Sequence, residues 1–456
     1  MSPALRFRQG SVYLLALLVV LVVSGIAMVM ARGAAVRLHL HQQAVAQSQC
    51  RAAAMGMLRA VVADLNLSLA SGGLPKLGTV QPAGETIGDC TVLLIGRDPS
   101  GKKVRFDLIP LAGRIGVNSL IDPFFPGRIR EGEALSSLPG MTTAIVAALR
   151  DWTDSNDIPD AEGGAERTDG AYLGAPVPYA PRNGPMLALE EVRQVRDVTD
   201  ALYFGSDVNQ NGRLDAGEMA NGDGGVELGL RDLLTLENRE PQLKNRNEWI
   251  MVPPELPVSL NPQFQTNLSS IFGNSRGQVL WNIIQAEANR VSSRLDFFKI
   301  MADHMSDAEI EVLWPASVGP ERRTGQVDPW SCPDSLLNVL VPSEVAATLI
   351  KARPATAPTS PLWLMQALTP QQARDYGPFL TVGSYQFKAD LVAIRNDGAG
   401  WVHLEATLDC ASGHALVTSL RDSDAAGWPL PWCTPEKLRR RTADQDPIAL
   451  LTTPND

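Results

Sequence analysis

From Val12 to Met30 the chain carries no charged residue. As a helix this run spans roughly 28 Å, close to the thickness of a bilayer's hydrocarbon core. Arg6 and Arg8 precede it, so the short N-terminus is expected to stay cytoplasmic under the positive-inside rule. No later stretch is apolar for long enough to span again, which places everything after about Arg32 beyond the membrane. Three kinds of N-terminus fit this pattern. One is a cleaved secretory signal, although its apolar region is usually only about 7–15 residues; small residues at 31–35 would suit a signal peptidase. Another is a plain single-pass anchor. The third is a short basic leader cut after Gly10, directly ahead of the apolar helix, with Ser11 as the new first residue.

The segment after the apolar run favours the third. Residues 36–69 are rich in helix formers and contain no proline, and Leu58, Val61, Val62, Leu65 and Leu69 recur at three- and four-residue steps. That spacing predicts an amphipathic face. A membrane helix running straight into an amphipathic one resembles the build of type IV pilin-class subunits. Their apolar half packs into a filament core and their second half lies on a small antiparallel sheet.

At 456 residues the chain is long enough for two or three folded units. Its 45% hydrophobic and 20% charged residues describe a globular protein with a real core. A net charge of −10 argues against nucleic acid as a partner, because such binding rests on clustered Lys and Arg against phosphate. The one dense basic run, residues 437–441, reads as a solvated tail. Five cysteines, none in CxxC spacing, are too few for a disulfide scaffold; Cys410 and Cys433, flanking the last predicted strands, are the candidate pair. Histidines are few and lack paired-ligand spacing, and no phosphate loop or nucleophile elbow occurs, so an enzyme is not expected.

Beyond a Ser-Gly-Gly break at 71–73 the pattern alternates. Strands are predicted at 90–96, 103–110 and 114–117, the first two joined as a hairpin through the Pro-Ser-Gly turn at 99–101. Residues 138–151 read as a turn and a short helix, and 187–204 as two more. An LPGM turn between helices resembles helix-hairpin-helix units that grip DNA phosphates, but the acidic residues after it favour a plain packing module. Helices are expected over 278–304, 342–352 and 361–373, and strands at 379–385, 388–394, 401–408 and 415–420, with a turn at 396–400. The expected fold is α+β: a long N-terminal helix on an antiparallel β-sheet head, interrupted by an inserted, mainly helical domain. The expected divisions are a leader over 1–10, a helix over 11–70 and the first part of the head over 71–120. An inserted helical domain over 121–250, a second helical region over 251–375, and C-terminal strands and tail over 376–456 complete the chain.

The sharpest local motif is DVNQNGRLDAGE at 207–218, which meets the calcium-loop pattern D-x-[DN]-x-[DN]-G-x5-E at every specified position. Asp207, Asn209 and Asn211 would supply side-chain oxygens, Arg213 its carbonyl, and Asp215 a direct or water-mediated ligand. Glu218 would close the site bidentately, and Gly212 permits the sharp turn. Oxygen donors at this spacing suit a hard cation such as Ca2+. No exit helix is expected, since NGDGG comes next at 221–225, so the ion's role would be structural. The acidic stretch from Asp151 to Glu166 could hold another ion, but its spacing matches no fixed pattern, and a solvated loop is the reading it favours.

Together these segments resemble the K-type minor pseudopilins of type II secretion systems. The resemblance rests on the leader and helix, AGRIGVNSL at 112–120, LPGMTTAIVAALRDWTDSND at 138–157 and PRNGPMLALEEVRQVRDVTDALYFG at 181–205. The calcium-type loop, VGSYQFKADLVAIRNDG at 382–398 and GWPLP at 427–431 complete it. It implies an inner-membrane, single-pass subunit with a periplasmic C-terminal domain that caps the tip of a short filament supporting protein export. The implied partners are the I- and J-type minor pseudopilins, the major pseudopilin filament, and the prepilin peptidase that would cut after Gly10 and leave a methylated Ser11. Major pseudopilins carry Glu at the fifth mature position, where it neutralises a neighbour's amine. Here that position is Leu15, as suits a subunit with none above it, because an unpaired charge in lipid is costly.

Overall fold

The computed structural model describes residues 6–71, 74–97, 104–119, 133–208, 228–236, 238, 250–251, 262–287, 291, 293–314, 317–318, 326–358, 360–430, 432–442 and 445–453. A single helix, α1 (Arg6–Ala70, 65 residues), opens the chain and is the one described helix long and apolar enough to cross a membrane. From Tyr13 to Val45 its side chains are exposed. Burial then begins at Ala46 and Cys50 and continues through Ala53, Ala54, Met57, Leu58, Val61, Leu65 and Leu69. Those steps are the amphipathic face read from the sequence, and the small residues at its start let a sheet approach closely. Near the end of the helix, Asp64 accepts the backbone N–H groups of Gly78, Thr79 and Val80 at 2.7, 2.8 and 3.1 Å and the Thr79 hydroxyl at 3.0 Å. This carboxylate therefore folds the departing chain back onto α1.

The head is a six-stranded antiparallel sheet. Its strands are β1 (Glu85–Ile87), β2 (Cys90–Leu94), β3 (Ile109–Pro110), β4 (Gln386–Arg395), β5 (Trp401–Asp409) and β6 (Leu416–Asp422). The order is β1-β2-β4-β5-β6, with β3 also pairing β4. Early and late strands thus meet in the middle, Val392 opposite Leu93 and Leu391 opposite Leu94. Because β2 is flanked on both sides and covered on both faces, all five of its residues are buried. Cys90, Val92 and Leu94 face α1, whereas Leu93 and Ile95 join Val392, Ile394, Leu430, Cys433, Leu438 and Leu451 on the other face.

That second face is covered by the C-terminal segment. Trp428 packs edge-on against Trp401 at 5.5 Å, and its Nε1 donates to the carbonyls of Leu430 and Cys433 at 3.0 and 2.7 Å. The basic run at 437–441 is consequently no free tail. Leu438 is buried, Arg439 donates to the Gly398 carbonyl at 2.8 Å and Arg441 to that of Asn396 at 3.1 Å. Cys410 and Cys433 lie in different core clusters and both are free thiols, so the pairing expected of them is not what the structure shows.

Between β3 and β4 the chain is mainly helical among the described residues. Helices run over Thr143–Thr153, Asp200–Phe204, Leu230–Leu233, Pro262–Phe272, Asn274–Glu287 and Arg294–Met301. Others lie at Asp307–Leu313, Asp334–Leu340, Ser343–Ala352, Leu362–Ala367 and Pro370–Tyr376. Three expected strands differ: that at 114–117 is only Ile115–Gly116, paired in parallel with Leu234–Thr235 outside the head sheet. The run at 103–110 is broken into Val104–Arg105 and Ile109–Pro110, since Asp107 takes the Leu108 N–H at 2.8 Å and ion-pairs with Arg105 at 2.9 Å. The run at 379–385 is not a ladder strand. It begins in a 3-10 turn, Gly377–Phe379, and makes only an isolated parallel bridge, Leu380 with Val327. The hairpin turn at 99–101 lies outside the described residues.

Candidate metal centre

The helix Thr143–Thr153 carries the first ligands. Thr142 caps its start, accepting the Ile145 N–H at 3.2 Å, and Ile145, Val146, Leu149 and Trp152 give it an apolar face. Asp151 is buried among them, 1% exposed, and Asp154 is the residue that ends the helix. The chain then turns back. The Asp160 N–H reaches both Asp151 oxygens at 3.1 and 3.2 Å, and Asn156 holds Asp154 through its side-chain amide at 2.6 Å. Gly163, with φ of 97°, makes the return turn. A Cβ on Gly164 would overlap the Asp151 carboxylate and the Asp160 amide; glycine is required there by this close approach.

Two residues on, Glu166 is 2% exposed. Neither carboxylate oxygen has a hydrogen-bond partner. One oxygen each from Asp151, Asp154 and Glu166 lie within 4.8 Å of one another. Oxygens bound to one calcium ion at 2.3–2.6 Å stand no more than about 5 Å apart, so the three fit a shared hard cation. Burial first, and then the charges of Asp151, Asp154 and Asp157, push the Glu166 carboxyl up to about 7. Burial likewise raises Asp151 and Asp154, and their acidic neighbours add to it. Like charges brought this close raise one another, and a cation held among them would reverse the shift. A buried charge of this kind is costly unless paired or bound to metal.

The surroundings hold this loop rigidly. Arg196 ion-pairs with Asp169 at 2.9 Å and donates to the carbonyls of Gly164, at 3.2 Å, and Gly163. Beneath, Trp152 packs edge-on against Tyr172 at 5.9 Å, and its Nε1 donates to Glu191 at 3.3 Å. Arg182 binds both Glu191 oxygens at 2.6 and 2.8 Å. Asn118 exchanges two hydrogen bonds with the Met186 backbone, at 2.8 and 3.0 Å, tying this module to the edge of the head.

Residues 113–204, which contain all three carboxylates, match the family model described as type II secretion system (T2SS), protein K. Over these residues the chain is similar to that family. A type II secretion system protein K from Pectobacterium carotovorum subsp. carotovorum is 42% identical over 59 residues, spanning 13% of this chain and 17% of that protein. A crystal structure of the GspK-GspI-GspJ complex from the enterotoxigenic Escherichia coli type 2 secretion system superimposes with a TM-score of 0.43 at 13% identity, covering 82% of this chain and 96% of that one.

Of the loop expected from the sequence to bind calcium, Asp207 is described and buried, 4% exposed. Asn209, Asn211, Arg213, Asp215 and Glu218 lie outside the described residues. The loop's two ends do meet: Gly205 bridges Leu228, and a Cβ on Gly229 would strike Gly205 and Tyr203. Gly10 and Ser11 fall in the first turns of α1. The reading of 151–166 as a solvated loop is overturned, because two of its acidic residues are buried in the domain. The spacing of Gly163, Gly164 and Glu166 behind the Asp-Trp pair was the available signal.

A second acidic group, Asp390, His403 and Glu405, is already supplied with cations. Lys388 and Arg231 lie 3.2 and 2.7 Å from Glu405, Arg421 also pairs with it, and His403 Nε2 contacts Asp390 at 2.5 Å. It is a protein-internal charge network, and no metal is assigned to it.

Proposed function

We propose that the chain is the K-type minor pseudopilin of a type II secretion system, capping the tip of its pseudopilus and so supporting export across the outer membrane. The carrying observation is one protein K domain borne on a head that rides a membrane-length helix. In this reading the apolar part of α1 anchors the chain in the inner membrane and later packs among major pseudopilin helices. The helical insert between β3 and β4 crowds the end of the filament, leaving no place for a further subunit above it. I- and J-type minor pseudopilins are the partners beside it, and the head lies in the periplasm.

Calcium, in this reading, is a structural ion. Asp151, Asp154 and Glu166 would hold one, and the loop from Asp207 to Glu218 another. Outside the cytoplasm even sites of about 10⁻⁴–10⁻³ M fill. The test is intact mass and N-terminal peptide mapping of membrane-extracted protein, with and without active prepilin peptidase. A peptidase-dependent start at Ser11 supports the pseudopilin reading. A retained Met1, or a cut near Ala35, rejects it.

A further inference from the structure

We propose that Cys50 and Cys90 form a disulfide that staples α1 to β2. The two sulfurs lie 3.7 Å apart, across 40 residues of sequence. Both residues are buried, at 0% and 2% exposure. Closing the bond brings the sulfurs about 1.7 Å nearer, to the 2.03–2.05 Å of a disulfide. The neighbourhood is already tight: the Cys50 thiol also donates to the Gly400 carbonyl at 3.3 Å, and a Cβ on Gly400 would press against Ala46. None of the other cysteines competes. Cys410 and Cys433 sit in different core clusters, and the contact of the Cys332 sulfur is its neighbour's carbonyl, Pro333 O, at 3.5 Å.

The position gives the bond its purpose. Cys50 lies one turn beyond Ala46, the first buried residue of α1, where the free helix enters the head. A covalent link there passes any axial pull on the membrane helix directly to the sheet, instead of through side-chain packing alone.

The oxidant is a disulfide-bearing thiol oxidase or small disulfide, R–S–S–R. One cysteine thiolate attacks it, forming a mixed disulfide and releasing RS⁻. The second cysteine, deprotonated, then attacks the protein-side sulfur and releases a second RS⁻. Both protons end on the two RSH, and two electrons pass to the oxidant. Burial holds both thiols above their ordinary range in the folded head. Oxidation therefore belongs to folding, before the pair is enclosed. The oxidising surroundings are those of the compartment proposed for the head, and to that extent the inference rests on that reading.

The test is thiol trapping of the full-length protein extracted from membranes, with alkylation in denaturant before digestion and mass mapping. The expected result is a linked Cys50–Cys90 peptide pair, two mass units lighter than the free peptides, with Cys332, Cys410 and Cys433 alkylated. Free, alkylated Cys50 and Cys90, or a Cys410–Cys433 link, overturns it. The N-terminal peptide of the same digest reports leader removal, so failure of the pseudopilin reading and failure of the staple are seen separately. Melting supplies a second readout. The parent should lose several degrees of Tm on reduction, whereas a Cys50→Ser/Cys90→Ser variant should not respond; equal melting of reduced and oxidised parent sinks the staple.

Discussion

Arg231, in the helical insert, holds both carboxylate oxygens of Glu405 on β5 at 2.7 and 2.8 Å. The two side chains are 13% and 11% exposed, so this is a largely desolvated bond between insert and head. Burial alone would raise the Glu405 carboxyl; Lys388, Arg231 and Arg421 outweigh it and hold the group well below the usual range. Its folded pKa being depressed, the stabilisation is present above the unfolded value, near 4.5, and fades as pH falls below it. Glu405→Gln is expected to cost about 3–5 kcal/mol at pH 7 by leaving the cations unpaired. A double-mutant cycle with Arg231→Met, measured by denaturant unfolding, should show strong coupling; additive effects would detach insert from head.

Glu166 has the opposite sign. Its folded pKa, about 7, lies above the unfolded 4.5, so without metal the head should lose stability as pH rises from about 5 to 8. Calcium should cancel that loss. Glu166→Gln is expected to melt higher than the parent at pH 8 without metal, yet to respond less to calcium. Calorimetry with calcium or chelator at pH 5.5 and 8 checks both; a parent whose melting is indifferent to calcium at pH 8 counts against the centre.

Gly164→Ala puts a methyl group where the Asp151 carboxylate and Asp160 amide now sit. The expected cost is about 1–3 kcal/mol, with a weakened calcium response because Asp151 must move. Gly170→Ala meets nothing within 4 Å and is the control.

Asp64 is 4% exposed. Burial opposes its charge, but the N–H groups of Val80, Gly78 and Thr79 prevail and lower its pKa. Asp64→Asn should cost about 1.5–3 kcal/mol at pH 7, a difference that should shrink as pH falls below the ordinary carboxylate value of 3.8. Urea unfolding at pH 7 and pH 3 would show it.

Periodicity made α1 legible. Leu58, Val61, Leu65 and Leu69 declare a helix face whatever it packs against, and β4 and β5 alternate clearly enough to be read. The strand expected at 103–110 failed because Asp107 competes locally for backbone N–H groups, a contest that apolar pattern does not register. The carboxylate centre was hidden for a related reason: an Asp and Glu-rich stretch looks solvated until the turn at Gly163 and Gly164 folds Glu166 back over Asp151. Nor could sequence join Cys50 to Cys90, since only the packing of α1 on β2 brings them together.

Between Met30, the last residue of the apolar run, and Ala46, the first buried one, stand fifteen exposed residues of α1, about 22 Å of bare helix. This mast sets the height of the head and also its azimuth. Each residue contributes about 100° of rotation, so a single deletion between Ala31 and Val45 would swing the head through more than a quarter turn about the anchor. Removing seven would lower it by about 10 Å yet restore its bearing to within about 20°.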